Sequence, residues 1–217
     1  MVMCMVIGGR PASITNTDNA GSLTAPATQT SWTFTGTSIG TASADRLVIV
    51  AVAYINTAAT SATCTIAGGS ATEITGCAIR STGGGSTEIQ FKMFRRVVAS
   101  GTTATIVVNT GTATGCFIGV WSAYDLRSTT EVDTSRDEAA GTSVVLDLNV
   151  SAGGVACGYA VVPNAVTWTG LTEDFDTVVS IRHTGASKAQ SLTASPLTAR
   201  INTSPGTAGI GCAASFR

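Results

Sequence analysis

The chain has a single imidazole, His183, at the end of the strand-like run Thr177 to His183 (TVVSIRH). A hydrolytic triad needs such a base beside a nucleophile held in a defined turn. A histidine closing a strand reads more simply as a near-surface side chain. Carboxylates gather in EVDTSRDE (Glu131, Asp133, Asp137, Glu138) and TEDFD (Glu173, Asp174, Asp176). Paired carboxyls serve glycoside hydrolysis and oxygen-rich loops hold Ca²⁺. Neither run has EF-hand spacing and nothing selects one pair, so both read as solvated loop charge. Gly83-Gly84-Gly85 opens no helix and is read as a turn, since a phosphate cradle needs a helix N-terminus behind it. Of the tryptophans, Trp121 lies in an apolar strand and belongs to the core. Trp168, beside a turn in AVTWTG, is the candidate for stacking on a glycan. Lys92, Arg95 and Arg96 form the densest basic cluster. With Arg10 they are the candidate interface for an acidic neighbouring subunit. No residue is assigned to catalysis, a cofactor or a metal, and the chain is expected not to be an enzyme.

Such residues must be held by strands. Thr, Ala, Gly, Ser and Val dominate, and no stretch has helical periodicity. Only 12% of residues are charged, against about 25% in an average soluble domain. Mean hydropathy is +0.32. A surface so poor in charge is expected to be covered by partners. Twelve Lys and Arg against thirteen Asp and Glu give a net charge of −1, with no basic footprint for nucleic acid and no polybasic segment for a membrane. Six cysteines, Cys4, Cys64, Cys77, Cys116, Cys157 and Cys212, are scattered without a C-x-x-C pair. They read as buried thiols packing as small hydrophobes, with a disulfide left open.

Met1 to Ile7 (MVMCMVI) is too short for a signal core and lacks a leading positive charge. It is read as a first strand, with no Sec export. Residues 8–31, rich in Gly, Pro, Asn and Ser, read as an extended N-terminal arm, ahead of a domain spanning 32–217. Within that domain Arg46 to Tyr54 (RLVIVAVAY) is a short, β-branched run expected at the centre of a sheet, buried on both faces. Gly68-Gly69 separates two alternating runs as a hairpin does. From Glu88 to Val98, Ile89, Phe91, Met93 and Val97 fall on one face, with Gln90, Lys92 and Arg96 on the other. Arg95 falls on the apolar face, so it must lie near a strand end or meet a carboxylate. Further strands are expected at Trp32–Ile39, Thr103–Asn109, Cys116–Tyr124, Thr142–Val150, Gly154–Val162, Ala165–Thr169, Lys188–Ala194 and Gly209–Phe216. Short, evenly spaced strands with glycine turns predict an all-β fold, a single antiparallel β-sandwich.

Five segments in order sharpen this: WTFTGTSIGTASADRLVIVAVAY (32–54), TCTIAGGSATEI (63–74), IQFKMFRRVVASGTTATIVVN (89–109), CFIGVWSAYDL (116–126) and the terminal GIGCAASFR. Together they resemble a jelly-roll-like β-sandwich domain that recurs in tailed-bacteriophage virion proteins and some bacterial surface proteins. The resemblance covers most of residues 32–217, rests on loose strand patterns, and transfers no active-site residues. It implies a virion structural protein, a capsid decoration (cement) or head-spike protein, assembled in the host bacterial cytoplasm. Its partners would be the major capsid protein, other virion proteins and further copies of itself. The alternative it implies is a tail-fibre or surface adhesin module that binds host glycans.

Overall fold

The computed structural model describes residues 10–24, 27–56, 61–81, 88–139, 143–179, 181–202 and 209–217. Met1 to Ile7, Cys4 and Gly83–Gly85 lie outside the described residues. The described elements are all strands: β1 (Ser13–Leu23), β2 (Gln29–Ser38), β3 (Leu47–Asn56), β4 (Thr63–Ile66), β5 (Gly69–Ser70), β6 (Thr72–Arg80), β7 (Glu88–Val97) and β8 (Thr103–Tyr124). They continue as β9 (Glu131–Ala139), β10 (Ser143–Val150), β11 (Gly154–Val162), β12 (Thr167–Thr169), β13 (Thr172–Val179), β14 (Ile181–Gln190), β15 (Ala194–Asn202) and β16 (Gly209–Phe216). All pairings are antiparallel. The fold is the expected antiparallel, sandwich-like all-β arrangement.

β8 organises the first sheet. Two strands were expected from Thr103 to Tyr124, separated by the small, polar run NTGTATG. The structure has one 22-residue strand. Its first half pairs with β2 on one side and β4 on the other; its second half pairs with β1 and β3. The sheet folds back on itself between these halves, which brings Ser122 Oγ within 2.7 Å of the Ile39 carbonyl. β7 and β6 extend the second half beyond β3. Two more sheets follow, β13-β14-β11-β16-β9 and β10-β15-β12.

Three apolar cores lie between the resulting layers. β3 feeds two of them. Leu47, Ile49, Ala51, Ala53 and Ile55 face the five-stranded sheet. Val48, Val50, Val52 and Tyr54 face the folded-back part of their own sheet. That is why RLVIVAVAY is apolar without alternation and every β3 residue is buried. β11 does the same: Val155, Cys157, Tyr159 and Val161 point one way, Ala156, Ala160 and Val162 the other. β10 closes one core only, so it alternates, with Val144, Leu146, Leu148 and Val150 inward. Burial at roughly 25 cal/mol per Å² of apolar surface is the driving term throughout.

Several expectations are corrected. The N-terminal segment holds β1, whose residues pair along the second half of β8 from Ser13↔Tyr124 to Leu23↔Gly115. Ile14 packs against one core and Ala20 against another. The extended arm is thus in part a strand of the main sheet; its polar composition suits a half-exposed edge. The hairpin turn falls at Ala67-Gly68, both with positive φ, and Gly69 begins the return strand. Val97 is exposed rather than core-facing: it ends β7, still paired with Leu47 but beyond the last β6 partner at Arg95. Arg46 is fully buried. It donates from Nε to the Val98 carbonyl (2.9 Å), from one terminal nitrogen to Gly40 (2.8 Å) and Gly101 (2.9 Å), and from the other to Ser100 (2.9 Å). Carbonyl acceptors on a planar fork replace the water that burial removes.

Candidate functional site

Three of the four candidate interface residues are engaged within the chain. Arg95 points from β7 toward β9 and donates to Glu131 Oε2 at 2.9 Å, with both side chains mostly buried. It meets the carboxylate that its place on an apolar face requires. Lys92 pairs with Glu73 at 2.7 Å. Arg96 folds over the β4–β5 turn and donates to the Ile66 and Ala67 carbonyls. Its guanidinium lies where a Cβ on Gly69 would stand, so a side chain there would displace Arg96. Only Arg10 of the four has an exposed head group, 85% accessible, 3.7 Å from the Asp125 carboxylate.

The two acidic runs are strands, not loops. In β9 the side chains of Asp133, Ser135 and Asp137 fall two residues apart, the strand period. They accept the backbone N–H groups of Asn149 (2.8 Å), Asp147 (3.0 Å) and Val145 (2.8 Å) respectively. β9 therefore caps the edge of β10 with a ladder built from side chains. Asp133 also accepts from the Asn149 amide at 2.7 Å, and Arg136 donates to the Ala78 carbonyl of β6. β6, β9 and β10 are thereby tied across three sheets. The signal was present as polar residues at 133, 135 and 137, but it reads equally as a solvated loop.

TEDFD lies in β13, and the register shift between Glu173 and Phe175 marks a bulge. A bulge sends neighbouring side chains to one face. Phe175 enters the core, while the Asp174 carboxylate accepts the Trp121 indole N–H at 2.7 Å. The apolar surroundings raise the Asp174 pKa above its ordinary value. His183 is also inside. It is the third residue of β14, fully buried, not at a strand end near the surface. β13 ends at Val179 and β14 begins at Ile181, so the run read as one strand belongs to two. Its ring lies 5.5 Å from Phe117, 5.7 Å from Phe175 and 6.0 Å from Tyr159 between centroids. Nδ1 is 3.1 Å from the Tyr159 hydroxyl, and Nε2 has no partner among the described residues. Burial lowers its pKa to about 4, so the ring is neutral at pH 7. Gly185 makes the room: a Cβ there would stand 2.3 Å from Phe175 and 2.7 Å from Trp121.

Trp168 is corrected as well. It is 8% exposed, packed in the third core, with its indole N–H on Thr184 Oγ1 at 2.8 Å. It has no free face for a sugar. The chain is not expected to carry G-x-S-x-G, yet Gly36 to Gly40 (GTSIG) matches it. Here Ser38 ends β2 with no helix behind it, and its N–H donates to Asp18. His183 faces a different core from neighbouring Ile39. The strand–turn–helix context of a nucleophile elbow is missing. The five described cysteines are buried free thiols. Burial pushes the Cys64 thiol up to about 12 and raises those of Cys116 and Cys157 well above the ordinary thiol value, which removes nucleophilic thiolate. Among the described residues no group of three His, Cys, Asp or Glu side chains could hold a metal ion.

The flank opposite β9 and β10 is built differently. β1 and β2 each pair only with β8, and β13 pairs only with β14. Asp18 joins β1 to Ser38 of β2, and Thr177 of β13 reaches Asn19 of β1 at 3.2 Å, so the three edges are neighbours. Among the described residues no run of side chains caps the outer edge of β2 or β13. Val178 of β13 stands 58% exposed.

The chain matches no family model and no curated protein sequence. Among solved structures it is similar to an anti-sigma factor domain-containing protein from Clostridium clariflavum, at 12% identity over 83% of this chain and 77% of that one. The TM-score is 0.22, too low to carry an argument about fold or function.

Proposed function

We propose that this chain is a structural protein of a tailed-phage virion, a decoration or head-spike protein that binds the major capsid lattice and further copies of itself, and that it performs no catalysis. The observation that carries the reading is the difference between its two flanks. An uncapped strand edge is a template for pairing with another chain. One flank is closed by a side-chain ladder, while the other presents β1, β2 and β13 together. Interfaces of standard size take roughly 800 Å² from each partner. That is a small share of the 9504 Å² this chain exposes. Its charged side chains support the same reading, since Lys92, Arg95 and Arg182 are paired internally.

The test is a particle assembled without this chain. It is expected to form but to lose DNA at lower temperature or lower salt than the complete particle. Equal robustness combined with failure to adsorb to host cells would replace this reading by the receptor-binding one.

A further inference from the structure

Beside the start of β1 lies a cleft of about 450 Å³, within the roughly 300–1,000 Å³ range of small-molecule sites. Its largest aliphatic side chain is that of Ala42; hydroxyls, two carboxylates and one guanidinium make up the rest. Ser13 and Thr15 of β1 form one wall. The loop from Gly40 to Asp45 forms the other, and Tyr124 closes the end of β8.

The walls are fixed. The Tyr124 hydroxyl donates to the Thr41 carbonyl at 3.0 Å, which sets the ring as a rigid side. Asp45 accepts from the Ser43 hydroxyl, and from the Asp125 backbone N–H at 2.6 Å. Asp125 itself has φ +56, a left-handed conformation that aspartate adopts more readily than most residues. Gly40 has φ +71, and a Cβ there would stand 2.6 Å from the Tyr124 hydroxyl. The close approach of loop and ring therefore needs glycine.

A second depression, of about 410 Å³, adjoins the first and shares Arg10 and Asp125 with it. The two are divided by the Arg10–Asp125 contact at 3.7 Å. Exposed pairs of this kind hold with at most about 1 kcal/mol, so a ligand can displace it.

We propose that the two depressions form one binding groove for a neutral oligosaccharide of two or more rings. Sugar hydroxyls both donate and accept, as do the hydroxyls of Ser13, Thr15 and Thr41. Each carboxylate oxygen of Asp45 has a lone pair left for a sugar O–H. Arg10 donates between the two depressions, and the Tyr124 ring offers a face to sugar C–H groups. Across the two depressions Asp45 and Asp125 are balanced by Arg10 and Arg127, which suits a ligand without net charge. Ala42, Tyr124, Pro11, Leu126 and Ala152 add apolar lining that suits the C–H faces of sugar rings. The groove shares Ser13 and Thr15 of β1 with the open flank, but glycan binding is read on the free chain and assembly on particles, so failure of one reading is distinguished from failure of the other.

The test exposes the full-length chain to a printed array of neutral and acidic oligosaccharides, followed by calorimetric titration of the hits. Thr15→Arg fills the groove from an exposed strand position. Asp125→Asn removes one acceptor charge with little change of shape. Neutral oligosaccharides are expected to bind in the micromolar to millimolar range, weakened about tenfold or more by Thr15→Arg and less by Asp125→Asn. Thermal unfolding of both variants near the parent's temperature shows that the loss is local. No neutral hit, selection of acidic glycans, binding unchanged in Thr15→Arg, or binding abolished by a chelator would each overturn the proposal.

Discussion

Asp133, Ser135 and Asp137 on β9 hold the N–H groups of Asn149, Asp147 and Val145, so β10 ends its sheet with no free donors at those positions. Across the molecule, β13 ends its sheet with Val178 in solvent and no such ladder among the described residues. Both are edges of antiparallel sheets built from the same kind of sequence. An open edge invites unwanted pairing, and proteins ordinarily blunt it. Three side chains close one flank as a ladder, whereas among the described residues the other has Asp18 on the Asn19 and Ser38 N–H groups and no ladder, so the flanks are treated differently. The difference also reaches inside. The closed flank is tied by ions and backbone bonds, including Arg95–Glu131 and Arg136 to Ala78. Behind the open flank lie the aromatic cluster of Trp121, Tyr159 and Phe175 and the neutral His183.

The largest effect is expected from removing the ladder. Asp133→Ala, Ser135→Ala and Asp137→Ala together should cost about 3–6 kcal/mol in denaturant unfolding, at roughly 1–2 kcal/mol for each uncapped backbone donor. The same triple variant should self-associate in sedimentation, because a second edge is now open. A monomer of unchanged stability would show that the ladder closes nothing.

The next effect is pH dependence behind the open flank. His183 has a folded pKa of about 4, below its unfolded value of about 6.5. Between these values the unfolded chain binds the extra proton, so stability is lost as pH falls from about 6.5 to about 4, by up to roughly 3 kcal/mol. Below about pH 4 this contribution stops changing. His183→Phe should flatten that slope in stability measured across pH 7 to 4; an unaltered slope would place the titrating group elsewhere.

Arg95→Met should cost about 1–3 kcal/mol by leaving Glu131 partly buried without its partner, and adding Glu131→Gln should recover part of it. If the double variant is no better than the single one, the pair is not coupled. The smallest stability effect is expected on the open flank. Val178→Lys should change stability by about 0.5 kcal/mol or less, yet abolish incorporation into particles. Incorporation at the parent level would break the assignment of that edge.

Arg46 to Tyr54 was legible as a central strand because both its faces are apolar, and Gly154 to Val162 was legible as a strand. β10 was legible from strict alternation, and Arg95 from the cost of an unpaired guanidinium. β1, β9 and β13 were not. An edge strand needs only one apolar face, and Ser13–Leu23, Glu131–Ala139 and Thr172–Val179 carry polar residues that also suit loops. Nor could the sequence announce that β8 runs unbroken past NTGTATG, since its partners β1 to β4 are far away in the chain. His183 and Trp168 were misplaced for one reason. Their polar atoms find partners, Tyr159 and Thr184, that only the folded layers bring near. The groove beside Tyr124 had no signal, because its residues come from three separate stretches.

Backbone amide hydrogen exchange of the chain, free and bound to purified particles, tests the central claim most directly. The account predicts that binding slows exchange in β1, β2 and β13 while β9 and β10 exchange as slowly in the free chain as in the bound one. Protection gained at β9 and β10, with β1, β2 and β13 unchanged, would contradict it.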